Sequence, residues 1–157
     1  MISNAFLCDE MLQGLGRWLR AAGYDTLIAN PGDKDKYLVQ TAIDSQRYLL
    51  TRDKKMSEIK HADSVVILLQ SNSIPTCIQE LTERLNINWL FAPFSRCLLC
   101  NNPLEKANER ARKRAPESIK AQQSVFYYCV KCDKLYWEGG HVRRMKNKLA
   151  AYHQGQW

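Results

Sequence analysis

Residues 4–23 read NAFLCDEMLQGLGRWLRAAG, and the change of period inside this stretch decides the fold. The run 4–8 is short and apolar, stops at Asp9 and Glu10, and predicts a first strand. From residue 11 the spacing turns helical. Leu12, Leu15, Leu19 and Ala22 recur on one face, and Gly23 stands where a helix-terminating glycine belongs. The alternation continues outward from there. Residues 26–29 predict a second strand, and the Pro31-Gly32-Asp33 turn leads into a helical pattern through Leu38, Ala42 and Ile43. Residues 48–51 predict a third strand and residues 65–69 a fourth. Pro75 opens a last helix with Ile78, Leu81 and Leu85 on one face. Strands alternating with helices imply βαβ units, hence an α/β fold whose mostly parallel sheet is covered by helices.

Such sheets bind ligands beyond the carboxyl ends of their strands. Asp9 ends the first predicted strand, and Asp53 follows the third in Leu50-Thr51-Arg52-Asp53. If those strands are neighbours, the two carboxylates converge on one edge. Carboxylates about 4 Å apart repel by roughly 4 kcal/mol at an effective dielectric near 20, so a pair that stays ionised needs a cation. Hard oxygen donors suit magnesium or manganese, ions that activate water against a phosphodiester. The competing reading makes Asp9 a helix cap and Asp53 a turn residue, and Asp9 can do both jobs. A third ligand would come from Asp25, Asp33, Asp35, Asp44 or Asp63, and Asp35 is the choice, although capping also accounts for it. Arg17, Arg20 and Arg52 lie near these acids in sequence and are assigned to substrate phosphate, with ion pairing as the equal alternative. Trp18 falls beside the apolar stripe and reads as core.

The chain has 157 residues, 45% of them hydrophobic, enough for one ordinary domain or two small ones. Its net charge of +7 is unevenly placed. Residues 1–94 hold ten Lys/Arg against eleven Asp/Glu, whereas residues 95–157 hold thirteen against five, a net of +8. The second half also carries Cys97-Leu98-Leu99-Cys100 and Cys129-Val130-Lys131-Cys132, 28 residues apart. Two such turns complete a tetrahedral zinc site, and four protein ligands leave no open position, so the zinc is structural. A thioredoxin-like redox role is the weaker alternative. Asn101 and Asp133, after the pairs, tolerate left-handed backbone. Phe126 and Tyr128 with Leu135 and Trp137 predict a β-hairpin over the metal, and Cys8 and Cys77 read as buried thiols. Arg112, Lys113 and Arg114 between the pairs, and Arg143 and Arg144 after them, are interleaved with Tyr127, Tyr136, Trp137 and His141. That composition suits phosphate contact and base stacking, hence RNA as partner. His141 reads as a turn residue ahead of a catalytic one. The longest aliphatic run, residues 65–69, is too short to span a membrane, and residues 1–4 carry no signal-peptide features, so the cytoplasm is expected.

Residues 6–12 (FLCDEML), 18–25 (WLRAAGYD) and 50–53 (LTRD) resemble the Mut-seven C-terminal RNase family, a PIN-like nuclease domain fused to a zinc ribbon. Residues 96–101 (RCLLCN) and 129–141 (CVKCDKLYWEGGH) resemble its ribbon signature, with Asn101 and Asp133 where glycine is usual. The resemblance implies a three-layer PIN-like domain over residues 1–94 and a basic, RNA-binding zinc ribbon over 95–157. It further implies metal-dependent RNA hydrolysis at Asp9 and Asp53, with zinc on the four cysteines. The alternative is a non-catalytic zinc-ribbon RNA-binding adaptor whose acids only cap helices.

Overall fold

In the computed structural model, which describes residues 4–157, the first half forms β1 (Ala5–Cys8), α1 (Gln13–Ala21), β2 (Asp25–Ile28), α2 (Asp35–Asp44) and β3 (Tyr48–Thr51). A one-turn helix α3 (Lys54–Ser57), β4 (Val66–Leu68) and α4 (Ile74–Leu85) follow. A 3-10 turn, Glu10–Leu12, precedes α1. The signal-peptide reading concerns residues 1–4, of which 1–3 lie outside the described residues.

The four strands form one sheet in the order β2-β1-β3-β4, and every pairing is parallel. β1 is buried along its whole length, as a central strand covered on both faces must be. Phe6 and Cys8 face one core layer with Leu15 and Leu19 of α1 and Ile78 and Leu81 of α4. Leu7 and Leu49 face the other, against Leu38, Val39 and Ala42 of α2 and Met56 of α3. The period-2 alternation of β1 therefore builds a three-layer α/β/α unit.

Local chemistry fixes the element ends. Gly23 has φ +100°, its N–H donates to the Arg20 carbonyl, and the Tyr24 N–H donates to that of Leu19, which closes α1. A Cβ at Gly23 would also meet the Ala92 carbonyl oxygen at 2.4 Å. At α4, Ser73 and Thr76 form a reciprocal capping box around Pro75.

The second half holds a three-stranded antiparallel sheet, β5 (Glu105–Lys106), β6 (Tyr127–Cys129) and β7 (Lys134–Tyr136). The expected hairpin is β6-β7, and β5 extends it. Two short helices, α5 (Glu109–Arg112) and α6 (Glu117–Gln122), occupy the basic linker, and α7 (Gly140–His153) ends the chain. Among the described residues, no helix is long and apolar enough to cross a membrane.

The core does not respect a division after residue 94. Leu149 and Tyr152 of α7 are buried in the same cluster as Leu15, Leu19 and Trp89, with Met145 and Leu98 packed against it. Tyr152 sits between Trp18 and Trp89, with ring centroids at 5.4 and 5.9 Å. The α7 helix thus serves as a covering element of the parallel-sheet unit. Leu149→Ala should destabilise the whole chain by about 2–5 kcal/mol in urea unfolding followed by tryptophan fluorescence. An unchanged midpoint would mean that α7 folds apart from the sheet.

Candidate active site and metal centre

The order β2-β1-β3-β4 makes the chain reverse direction between β1 and β3, the crevice where parallel sheets bind ligands. Asp9 leaves β1 there and is 5% exposed. Its Oδ1 accepts the Met11 N–H at 2.8 Å, and its Oδ2 accepts the Thr51 hydroxyl at 2.6 Å. Thr51 ends β3, so the hydroxyl bridges the neighbouring strand to the acid. Its oxygen in turn accepts the Asp53 N–H at 3.0 Å. Asp53 Oδ1 caps α3 by accepting the Lys55 N–H at 2.9 Å. Both acids therefore cap helices, and each oxygen of Asp9 keeps a second lone pair for another partner.

Asp9 and Asp53 share the lining of one open cavity of about 180 Å³ with Glu10, Asp33 and Asp35. Among the described residues, no Lys or Arg lines it. Asp35 occupies the first turn of α2. The Asp33 Oδ2 accepts the Asn30 N–H at 2.9 Å, and Asp33, one of the candidates for a third ligand, lines the cavity beside Asp35, the residue chosen from the sequence. Asp25 lies at the amino end of β2, away from this edge, and Asp44 and Asp63 do not line the cavity.

The arginines divide. Arg17 is exposed, at the mouth of a neighbouring depression. Arg52 donates to the carbonyls of Asn72 and Met11 at 3.2 and 3.3 Å, bracing the loops after β4 and β1. Arg20, assigned to substrate phosphate, lines the same depression as Arg17 but is engaged by the protein's own carbonyls. It is 6% exposed, and it donates from Nε to the Thr26 carbonyl at 2.8 Å and from one terminal nitrogen to the Leu98 and Leu99 carbonyls at 3.0 and 3.1 Å. Burial pulls its pKa down, while the neighbouring thiols of Cys8, Cys100 and Cys97 push it back up.

The cysteine turns meet as expected. Among the described residues, Cys97, Cys100, Cys129 and Cys132 form the one group of three or more potential ligands whose donor atoms all lie within 4.8 Å of one another. Tetrahedral zinc with bonds near 2.3 Å requires sulfurs about 3.8 Å apart. The Sγ pairs Cys97–Cys132 and Cys100–Cys129 stand at 3.9 and 3.4 Å, so the donor set fits a structural metal such as zinc. Burial raises the Cys97 pKa, but the Tyr136 hydroxyl at 2.9 Å and the amides of Cys100 and Leu99 outweigh it and bring it down to about 6. Asn101 and Asp133 adopt φ of +75° and +51° after their turns. Cys8 and Cys77 are buried, and burial pushes the Cys8 thiol up to about 12.

The first cysteine turn is stapled to the sheet. Asn101 Oδ1 accepts the Thr26 N–H at 2.8 Å, and its amide donates to Asp25 at 2.6 Å. Arg47 grips both oxygens of Asp25 at 2.8 and 2.9 Å. Burial raises the Asp25 pKa, but hydrogen bonds from Arg47 and Asn101 and the charges of Arg47 and Arg96 prevail, leaving it below the usual carboxylate range.

Of the basic residues assigned to RNA, Arg114 is taken up within the cysteine module. Its guanidinium pairs with Asp133 at 2.5 Å, and Tyr128 donates to the same carboxylate. Arg112 lies over the Phe126 ring at 5.6 Å. Lys113, Arg143 and Arg144 are exposed, as is His141 in the first turn of α7.

The sequence profile of the Mut7-C RNAse domain matches residues 4–149, which takes in both the sheet and the cysteine module. The chain therefore belongs to this family, which carries a ribonuclease-type role. No curated protein and no solved structure matches the chain.

Two consequences follow from this geometry. Purified protein should carry one zinc per chain by elemental mass spectrometry, and Cys129→Ala should abolish it and lower the thermal midpoint. The depressed Asp25 pKa makes its contribution fully present above about pH 4 and lost as pH falls through the folded value. In thermal melts across pH, the gap between wild type and Asp25→Asn should accordingly close below pH 4, whereas a gap that widened there would contradict the pairing.

Proposed function

We propose that the protein is a metal-dependent ribonuclease whose parallel-sheet unit is PIN-like and whose cysteine module is a zinc ribbon. The observation that carries this reading is the cavity at the strand ends of a Mut7-C chain, lined by five acids and no base. Its donors are carboxylates, the oxygen chemistry that magnesium and manganese prefer. Magnesium is commonly held by one or two carboxylates plus substrate phosphate, so a preformed cage of three converging acids is not required. Asp9 and Asp53 would hold the ion, with Asp35 as the third acid. The ion would supply Lewis-acid charge to the phosphate and lower the pKa of the attacking water.

The chain's own residues set the geometry. The Thr51 hydroxyl and the Met11 amide fix the Asp9 carboxylate against rotation, and the cap on α3 fixes Asp53. Five acids repel an RNA backbone, so affinity must come from elsewhere. Arg17 at the neighbouring depression and Lys113, Arg143 and Arg144 on the ribbon and α7 supply it, with Arg112 held over Phe126. Arg52 acts by bracing the loops around the site. Free thiols buried at Cys8 and Cys77 agree with a reducing compartment, the cytoplasm.

The capping roles of Asp9 and Asp53 favour one other reading, a non-catalytic RNA adaptor. Asp9→Asn keeps the shape and one acceptor oxygen yet removes the charge. With added manganese, wild type should cleave a labelled RNA pool, and Asp9→Asn and Asp53→Asn should each lose at least about 100-fold, no less than the loss of an outer-shell partner costs a metal site. Cleavage by Asp9→Asn at the wild-type rate would sink the nuclease assignment at this site. RNA bound but never cut under any metal would leave the adaptor.

A further inference from the structure

Two large concave regions, of about 570 and 660 Å³, lie where the ribbon meets α7, the larger also touching α1, and Phe94, Tyr136, Trp137 and Val142 form their common wall. The larger one runs past Arg17, Leu98 and Leu99 into the depression of about 240 Å³ already described. That depression reaches the acidic cavity through Ala29 and Asn30. Neighbouring depressions thus share wall residues in series from the ribbon to the acids, which outlines a trough.

We propose that this trough is the track for an unpaired RNA strand, with a base stacked on Trp137 and the adjoining backbone led past Arg17 toward Asp9. This deepens the ribonuclease reading and rests on it for the direction of the track.

The chemistry of the walls selects this occupant. Trp18, Phe94, Tyr136 and Trp137 supply aromatic surface, each half-buried rather than sealed in the core. Arg17, Lys134 and His141 supply donors for phosphate around them. Glu138 is the only acid on the two large regions, and Lys146 neutralises it at 3.2 Å. Stacking platforms interleaved with cations suit single strands, because a duplex hides its base faces and offers only its backbone and groove edges.

Trp137 is also preorganised. Its ring packs at 6.2 Å and 60° against Phe126, and its Nε1 lies 3.2 Å from where a Cβ on Gly139 would stand. Glycine there lets the chain turn into α7 without displacing the indole. Phe94 is held at φ +57°, in the left-handed region that bulky residues avoid, by its N–H donating to the Ala21 carbonyl at 2.8 Å. The ring is thereby placed at the common wall of both regions.

The test uses the zinc-loaded full chain without added magnesium or manganese, and fluorescence anisotropy with a labelled 12-nucleotide uridine strand. The comparison strand has the same length and charge but abasic ribose throughout. Stacking predicts at least about fivefold weaker binding of the abasic strand. Trp137→Leu should weaken the uridine strand by a similar factor and leave the abasic strand unchanged. Equal affinity of wild type for the two strands overturns the proposal, and so does a Trp137→Leu variant that loses both alike. The wild-type comparison decides the matter even if the variant fails to fold. Base discrimination without cleavage in manganese would remove the nuclease reading and leave the track. Cleavage without base discrimination would do the reverse.

Discussion

A buried guanidinium holds this structure together. Arg20 sits between α1, the edge strand β2 and the first cysteine turn, and its three hydrogen bonds reach carbonyl oxygens in two of them. A cation removed from water is tolerated only where polar partners replace the water. Here those partners are the Thr26 carbonyl on the open side of the sheet and two carbonyls of the cysteine turn. The Thr26 N–H on the same side is taken by Asn101. The exposed edge of β2 is thus closed by side chains rather than by another strand, which removes a site for unwanted strand pairing. The metal module is bolted to the sheet at the same point. Loss of Arg20 would strand the buried Thr26 carbonyl and release the cysteine turn from the sheet.

This junction explains why the family profile runs through both halves without a break. The cysteine module, the edge strand and α7 share one interface, with Leu149 and Tyr152 closing the core from the far end of the chain. A module fixed in this way can present a surface in constant register with the strand ends. The aromatic trough lies on that interface and depends on it, because Phe94 precedes the first cysteine turn, Leu98 and Leu99 belong to that turn, and Trp18 and Trp137 come from opposite halves.

At the strand ends the same acids serve two ends. Asp9 and Asp53 terminate strands, cap short helices, and line a cavity with no compensating base. The capping N–H groups stabilise the carboxylates in place of a cation, which lets these acids line one cavity.

The sequence by itself determined the parallel sheet, because the switch from period 2 to period 3.6 at residue 11 is local and repeats. It also determined the four cysteine ligands, since a Cys-x-x-Cys turn presents its thiolates through a few bonds of its own backbone. The strand order, by contrast, was needed to turn Asp9 and Asp53 into neighbours of one cavity, and it brought in Asp33. Only the tertiary structure decided the fate of the arginines. Arg17 and Arg20 lie three residues apart on one helix, yet one is exposed and the other is buried against carbonyls 78 and 79 residues away. The long helix α7 was equally hidden, because its few apolar positions gain their meaning only from a groove between Trp18 and Trp89 that the first half must build. Local periodicity encodes elements, whereas the partner of a charged or sparse apolar face is set by whatever the folded chain places opposite it.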